Sequence, residues 1–339
     1  MRDLYVDVGS TNVKYRSVDD SGRVTTGSER FPEPFINDGI RYEVKLSEIN
    51  GMLFGIVGKS TYSRIFVSVQ MHGYILKKGE KFITEYISWR DKRGEILCKN
   101  HDLPPESGES VKPNLPLLSA CVTLGELGAV CGEDLTFFTL GSYISYVLTG
   151  KNATHITDAA ASGFFNVVTG CRGEWVDFDI RLPEVYPEIK AVGRYKGAQV
   201  FTPCGDQQCA VLGSGAAFEE YILNLGTAAQ MCCVENGFVF GNFESRPFFG
   251  SKTLCTVTGL IGGGYIAGKS DEELYDPLNE EYSSSLKKLP EKKSLLITGG
   301  VVVYRKKLIE KIADGLKIGY ELNDSSDALC GLETIGKRL

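Results

Sequence analysis

Histidine is scarce: three residues in a chain of 339. No Ser-His-Asp arrangement can be assembled from the sequence, so histidine-driven nucleophilic catalysis is set aside. The ten cysteines form no Cys-x-x-Cys pair and no metal-ligand spacing, which excludes the common zinc and redox motifs. Several lie in apolar runs such as Met231-Cys232-Cys233-Val234, where reduced, buried thiols are expected. There is no basic excess either. Lys and Arg number 37 against 43 Asp and Glu, for a net charge of −6 and a pI near 5.4. A nucleic-acid binder would carry a basic face, so small-molecule work is expected instead. No apolar run is long enough to span a bilayer, and the first residues hold no signal-peptide core. The expected setting is therefore the cytoplasm, with neither membrane nor nucleic acid as partner.

What is present is ordinary for a globular chain, with 42% hydrophobic and 24% charged residues. A length of 339 favours two domains, because single cores rarely grow past about 250–300 residues. The crossing is placed near Thr202 to Gly205, giving domains over residues 1–200 and 201–339. The first 31 residues read as a meander of three strands with tight turns. Residues 46–59 have helical spacing, and 65–69 form a dense β-branched strand. Residues 99–113 read as loop, 137–148 as helix, 164–168 as strand-like and 211–218 as helix. Residues 221–225 and 253–261 read as strands. Residues 269–293 read as a charged segment broken at Ser283-Ser284-Ser285. A strand over 295–298 and a final amphipathic helix over 304–315 follow. The sum is a mixed α/β architecture.

Three segments carry the chemistry. Asp7-Val8-Gly9-Ser10-Thr11-Asn12-Val13-Lys14 delivers an aspartate from a strand into a glycine turn. Glycine lets backbone N–H groups approach an anion, and Ser10 and Thr11 add hydroxyl donors. Asp7 beside it suits Mg²⁺, which prefers carboxylate, water and phosphate oxygens, and Lys14 adds charge. The competing explanation is a plain hairpin with an Asx turn. Asn224-Leu225-Gly226-Thr227-Ala228-Ala229-Gln230 repeats the design, and two such turns can grip a nucleotide tail. Between them lies Gly205-Asp206-Gln207-Gln208. Asp206 opens a helix, where it serves either as an N-cap or as a general base for a substrate hydroxyl.

Two further segments are polar where α/β sheets make ligand contacts. Gln70-Met71-His72-Gly73 ends a buried strand, and His72 is either structural or a contact. Trp89-Arg90-Asp91-Lys92-Arg93 offers Asp91 to sugar hydroxyls, or is a solvated charge run. Gly263-Gly264-Tyr265-Ile266-Ala267-Gly268-Lys269-Ser270 satisfies G-x-x-x-x-G-K-S literally. Only 69 residues follow, and the next strand ends in Gly-Gly with no metal-binding aspartate, so it is read as a chance match.

In this order the segments resemble the FGGY carbohydrate kinases of the actin/hexokinase/Hsp70 ATPase superfamily, over most of the chain. Asp7-Val8-Gly9-Ser10-Thr11 looks like the first phosphate motif and Leu225-Gly226-Thr227 like the second. Thr298-Gly299-Gly300 is similar to the adenosine motif, and Gly205-Asp206-Gln207-Gln208 to the segment holding the catalytic aspartate. Gln70, His72, Gly73 and Asp91 fall in segments similar to the sugar-contacting ones of ketose kinases. Thr157-Asp158-Ala159-Ala160-Ala161-Ser162-Gly163 follows the usual march through the first domain. Asn224 to Gln230 and Arg246-Pro247-Phe248-Phe249 look closest to sedoheptulokinase-like members.

The resemblance implies two ribonuclease H-like (actin-like ATPase) domains with an interdomain cleft, and ATP–Mg²⁺-dependent phosphorylation of a primary hydroxyl of a ketose, a heptulose or pentulose. It implies Asp206 as base and, with Asp7, as metal contact. Gly9, Ser10, Thr11, Asn12, Lys14, Gly226, Thr227, Gly299 and Gly300 would lie around the nucleotide. Gln70, His72, Gly73, Asp91, Asp206 and Gln207 would lie around the sugar. Family members run longer, and the shortfall lies mainly between Gly264 and Gly299. That leaves a homodimer as one expectation, since a second subunit could supply the missing wall. Two rivals stand beside this reading: a sugar- or nucleotide-binding protein with a degenerate kinase fold, and a P-loop nucleotidase using Lys269.

Overall fold

The structure, a computed structural model, describes residues 2–128, 134–226, 228–323 and 327–339. The chain opens with β1 (Arg2–Val8), β2 (Asn12–Asp19) and β3 (Val24–Arg30), paired antiparallel in sequence order. The second turn closes because Asp19 Oδ1 accepts from the N–H groups of Ser21 and Arg23, both at 3.0 Å, as an Asx turn does. Helix α1 (Leu46–Val57) buries Leu46, Ile49, Leu53 and Ile56, a 3-4-3 spacing that gives one apolar stripe. β4 (Arg64–Val69) then returns parallel to β1. A smaller sheet intervenes, built on strands Tyr74–Lys78 and Leu135–Thr139. Helix α2 (Leu140–Thr149) follows, started by a Thr139 capping box and stopped by Gly150 at φ 78°. β5 (Ala191–Tyr195), β6 (Ala198–Phe201) and β7 (Cys204–Gly205) complete the first large sheet. Its order is β5-β6-β4-β1-β2-β3, with β7 also parallel to β4.

The second half begins with α3 (Asp206–Ser214), then β8 (Glu220–Leu225), β9 (Ala229–Asn236), β10 (Glu244–Phe248) and β11 (Lys252–Leu260). Helix α4 (Asp271–Leu286), β12 (Ser294–Thr298), α5 (Lys306–Gly315), β13 (Gly319–Asn323) and α6 (Ala328–Arg338) follow. The order β10-β11-β9-β8-β12-β13 repeats a five-stranded core of the first sheet, with the extra edge strand on the antiparallel side (β10) rather than beside the parallel strands (β5). In each, three antiparallel strands (β1-β2-β3, and β8-β9-β11) lead to two strands parallel to the first of them. Two α/β units of one topology thus follow each other along the chain.

Strand alternation divides the cores. Leu4, Val6 and Val8 of β1 and Ile65, Val67 and Val69 of β4 pack with α1 and α2. Tyr5 and Phe66 point the other way and meet Cys209 of α3 and Leu329, Leu332 and Ile335 of α6. Helix α3 serves both halves, because its Val211 packs with Ile222, Cys232 and Leu254 of the second sheet. Helices α4 and α5 cover the opposite face of that sheet, with Leu274, Leu278, Tyr282, Leu308, Ile309 and Ile312 all buried. Each such side chain contributes roughly 1.5–3 kcal/mol of transfer free energy. The site therefore sits where one helix is clamped between two sheets.

The structure corrects several local expectations. Residues 137–139 are strand rather than helix, since Phe137 and Phe138 extend the small sheet and Thr139 caps α2. Residues 164–168 form only an isolated bridge, between Phe165 and Arg172. The serine run does not break the charged segment: α4 runs through it, and Ser285 donates back to the Glu281 carbonyl at 2.8 Å. The helix over 304–315 is not the last, because α6 follows it and returns to the first sheet.

Candidate active site

Parallel strands end together. In β1 and β4 Asp7 stands opposite Ser68, and in β4 and β7 Ser68 stands opposite Cys204. The residues just beyond are therefore neighbours: the turn starting at Gly9, the segment Gln70 to Gly73, and Asp206. These are the carboxyl ends of parallel strands, where open α/β sheets place ligands. Ser68 Oγ donates to Asp7 Oδ1 at 2.8 Å. Lys14 is Asp7's antiparallel partner on β2, and its ammonium lies 3.6 Å from Asp327. Gln70 is buried, and its side-chain N–H reaches the Gly9 carbonyl at 3.5 Å, fastening the turn to the end of β4. Ser10 is half-buried in that turn, while Thr11 and Asn12 are exposed.

Asp206 is the first residue of α3. The cap position belongs to Gly205, so capping does not account for the carboxylate. Its Oδ1 accepts from the Gln207 N–H at 2.8 Å. Burial raises its pKa from 3.8 to about 7, and the Asp7 carboxylate adds to the rise; the Gln207 N–H and Arg246 oppose it, and Asp158 adds a little more. Burial likewise raises Asp7 to about 6, against the pull of Ser68 and Lys14. Asp158, buried with Oδ2 accepting from Thr139 and Thr154, is raised by burial to about 6. A carboxyl poised near neutrality suits proton abstraction.

His72 holds a left-handed backbone, φ 64°, unusual outside glycine and concentrated at functional sites. Its Nε2 lies 3.0 Å from Glu109 Oε2. Burial, then Lys112, lowers the imidazole pKa. Glu109 is held well below the usual carboxylate range by Arg246, Lys112 and His72, which outweigh its burial. An ionised carboxylate can only accept, so Nε2 carries the proton and Nδ1 is left as an acceptor for a ligand hydroxyl. Gly73 leaves the room that Tyr86 fills, since a Cβ there would lie 2.2 Å from the Tyr86 hydroxyl.

The second glycine lip forms the same way. β8 and β12 are parallel with Asn224 opposite Thr298, so Gly226 and Gly299 leave adjacent strands together. Gly299 has φ 104°, and a Cβ there would lie 2.6 Å from the Leu225 carbonyl oxygen. Only glycine fits. Gly300 is exposed and opens a short helix ending at Tyr304. Gly263 N–H donates to the Gly226 carbonyl at 2.8 Å, bringing a third glycine segment to this edge. Thr227 lies outside the described residues. The literal P-loop match forms no P-loop: Ser270 is the N-cap of α4 through a capping box with Glu273, and Lys269 lies over the Tyr265 ring.

Two candidates are committed elsewhere. Asp91 is buried, with Oδ1 accepting from the Arg93 backbone N–H and Nε, and Oδ2 from Tyr42 N–H and another Arg93 nitrogen. The Trp-x-Asp-x-Arg segment is thus closed by its own internal ion pair. Gln207 turns its amide away to the second sheet, donating to Thr256 Oγ1 at 3.4 Å and accepting from Arg246.

That Arg246 contact belongs to a network composition did not reveal. Glu109 and Lys112 come from a loop of the first half, and Glu244 and Arg246 from β10. Lys112 lies 2.6 Å from Glu109 and 3.0 Å from Glu244; Arg246 lies 2.6 Å from Glu244 and 3.3 Å from Glu109. The chain connects His72 at one end to Gln207 at the other. In the sequence the loop charges look solvated, and only their burial against β10 distinguishes them. Among the described residues no group of three or more His, Cys, Asp or Glu side chains is placed to hold a metal. Asp7 and Asp206, near enough that the Asp7 charge raises the Asp206 pKa, nonetheless fit Mg²⁺, which takes one or two carboxylates and fills its shell with water and phosphate oxygens.

The repeated topology places the chain in the α/β fold class built from two actin-like units. Within that class the chain has the fold of the FGGY carbohydrate kinases. No family model matches it. A curated relative, glycerol kinase 2 of Streptomyces avermitilis, is 24% identical over 298 residues, covering 76% of this chain and 57% of the relative. The chain thus spans little more than half the length of that relative. Xylulose kinase from Lactobacillus acidophilus matches with a TM-score of 0.84 at 14% identity, over 99% of this chain and 89% of that one. Gluconate kinase from the same organism matches at 0.82 and 15%, over 99% and 89%. Plasmodium falciparum glycerol kinase matches at 0.76 and 13%, over 100% and 90%.

Proposed function

We propose that this protein transfers the γ-phosphoryl group of ATP to a hydroxyl of a small polyhydroxylated acceptor, with Asp206 as the base. One observation carries the reading: Asp206, lifted to about 7, stands at the start of the helix shared by both halves and within electrostatic reach of Asp7. The acceptor hydroxyl gives its proton to Asp206 as its oxygen attacks the γ-phosphorus and the bond to the β-phosphate oxygen breaks, releasing ADP. The turn at residues 9–12 and the lip at Gly226, Gly299 and Gly300 would offer backbone N–H groups to the phosphates. Lys14 adds positive charge. Asp7 and Asp206 would hold Mg²⁺, which when bound neutralises charge building on the phosphates. His72 accepts from an acceptor hydroxyl through Nδ1, Gln70 and Gly73 shape that recess, and Gln207 positions Asp206. Asp91 holds the wall behind, through Arg93.

The finer reading is a primary hydroxyl of a ketose, heptulose or pentulose. Of the named relatives, the kinase of xylulose supports a ketose, and those of glycerol and gluconate support the coarser polyhydroxylated acceptor. The domain boundary is placed near residue 200, with α3 and α6 as the layer between the halves. Acceptor-dependent ADP release by the wild type and by Asp206→Asn tests the reading. Undiminished turnover in the variant removes Asp206 from the role.

A second reading has one observation in its favour. Between Gly264 and β12 there is room for little more than α4, so the nucleotide side is slight. The protein would then bind sugar without turning it over. Calorimetry with ATP–Mg²⁺ and with sugars separates the two: sugar binding without nucleotide binding supports this alternative.

A further inference from the structure

The direction of the Asp206 side chain is set by the backbone that delivers it, and that backbone is fastened at two places. Cys204 and Gly205 pair with Ser68 and Val69 of β4. Residues 155–157 supply the second fastening. The His155 N–H donates to the Pro203 carbonyl at 2.9 Å, and the Gly205 N–H donates to Thr157 Oγ1 at 3.1 Å. Gly205 is the N-cap of α3, so the second bond acts on the peptide immediately before Asp206. The packing there is close: a Cβ on Gly205 would lie 2.7 Å from the Met71 sulfur and 3.1 Å from the Thr157 carbonyl oxygen.

Each hydrogen bond behind Gly205 has one permitted direction. His155 Nε2 lies 3.0 Å from the Pro187 carbonyl, which can only accept, so Nε2 carries a proton. Burial lowers the imidazole pKa to about 4, against the pull of the Pro187 carbonyl, so the ring is neutral at pH 7 and Nδ1 is an acceptor. The Thr157 N–H donates to Nδ1 at 3.3 Å. Thr157 Oγ1 lies 2.8 Å from the same nitrogen and gives it the hydroxyl hydrogen, which leaves the oxygen to accept from Gly205. The chain thus runs from Gly205 to Thr157, from Thr157 to His155 and from His155 to Pro187. Both side chains are buried. The His155 ring also stacks on Phe249, just beyond β10, with centroids 5.3 Å apart. The chain is therefore anchored on both halves of the molecule.

We propose that Thr157, oriented by His155, is a positioning residue: it holds the Gly205 peptide so that Asp206 presents its carboxylate to the acceptor hydroxyl. The inference rests on the proposed role of Asp206 as base, and it adds the residues that aim that base. Thr157 acts on the reaction through the peptide it holds. A packing role and a hydrogen-bonding role predict opposite results at this position. Valine keeps the volume and loses the hydroxyl, whereas serine keeps the hydroxyl and loses a methyl group.

The test is steady-state ADP release by the full chain with ATP–Mg²⁺ and glycerol, xylulose or a seven-carbon ketose, on wild type, Thr157→Val, Thr157→Ser, His155→Phe and Asp206→Asn. Thr157→Val is expected to lower kcat by about 10–10²-fold, the scale of a small misplacement of a reacting group, with KM for both substrates within about twofold. Thr157→Ser should keep kcat within about threefold of wild type. His155→Phe keeps a ring against Phe249 and removes the Nδ1 acceptor, so its kcat should fall by about threefold or more at unchanged KM. Wild-type kcat in folded Thr157→Val, or a serine variant as impaired as the valine one, overturns the inference. Should Thr157→Val fail to fold, His155→Phe decides: reduced kcat supports the inference and wild-type kcat overturns it. Asp206→Asn separates this from the proposed function. Undiminished turnover there, or a wild type without acceptor-dependent turnover, removes both. A disabled Asp206→Asn beside a fully active Thr157→Val removes the positioning role alone.

Discussion

The Arg246 guanidinium donates to the side-chain oxygen of Gln207, the residue directly after Asp206. Arg246 is buried on β10 of the second sheet, and Gln207 lies in the helix that carries the proposed base. The contact ties the base to the other half of the molecule. Removing Arg246 strands Glu109 and Glu244, both buried, without their main counter-charge. Arg246→Ala is therefore expected to destabilise by about 3–5 kcal/mol. Chemical denaturation of wild type and variant checks this, and a loss below about 1 kcal/mol would show the network to be well hydrated.

Asp206→Asn keeps the shape and removes the base. Acceptor-dependent ADP release should fall by about 10²–10⁴-fold, the usual worth of a general base. Its stability should move the opposite way. A carboxyl whose folded pKa of about 7 exceeds its ordinary 3.8 is disfavoured in its charged form, so the wild type loses stability as pH rises through that window. The variant should melt above the wild type at pH 8 and show less advantage at pH 5. A variant that is both inactive and less stable at pH 8 contradicts the assignment.

Asp158 allows the same linkage to be read away from the phosphate turns. Its folded pKa is about 6 against an ordinary 3.8, and the residue is buried. The folded state therefore binds more protons between those values, and the wild type is most stable below them. Relative to the wild type, Asp158→Asn should gain about 3 kcal/mol between pH 3.5 and pH 7. Urea midpoints of the two proteins at several pH values check it, and parallel curves would refute the raised pKa.

Gly299→Ala tests the second lip. At φ 104°, with the Leu225 carbonyl 2.6 Å from the added carbon, the substitution strains the turn and pushes it from β8. A stability loss of about 1–3 kcal/mol is expected. Affinity for ATP–Mg²⁺, measured by calorimetry, should weaken together with it. Gly300→Ala, at an exposed position with nothing within contact distance, should cost far less. Equal effects at the two positions would dissociate this edge from nucleotide binding.

Much of the frame was legible from local pattern. The β1–β3 meander, α1, β4, β8 and β11 each carry a period of two or of 3.6, and each forms close to where its pattern lies. Local pattern failed where an element depends on what it meets. Phe137-Phe138-Thr139 reads as helix in isolation, but pairs with strand Tyr74–Lys78. The serines of α4 read as a break, but Ser285 is buried and bonded to its own helix. Helix α6 carries an apolar stripe of Leu329, Leu332 and Ile335, with glycines at 331 and 336 along it. Those glycines are needed, because a Cβ at Gly331 would lie 2.0 Å from the Cys209 carbonyl oxygen.

By itself the sequence determined the order of the parts: two strand-to-glycine turns, an aspartate opening a helix between them, and two runs of α/β elements. Short-range sterics and side-chain alternation are enough to specify these. Tertiary structure alone decided which charges matter. It drew Glu109 and Lys112 from a polar loop against Glu244 and Arg246, closed Asp91 onto Arg93, and brought Asp7 within reach of Asp206. Burial and the proximity of charges far apart in the chain set those outcomes, and both depend on what the folded chain brings together rather than on what is adjacent along it.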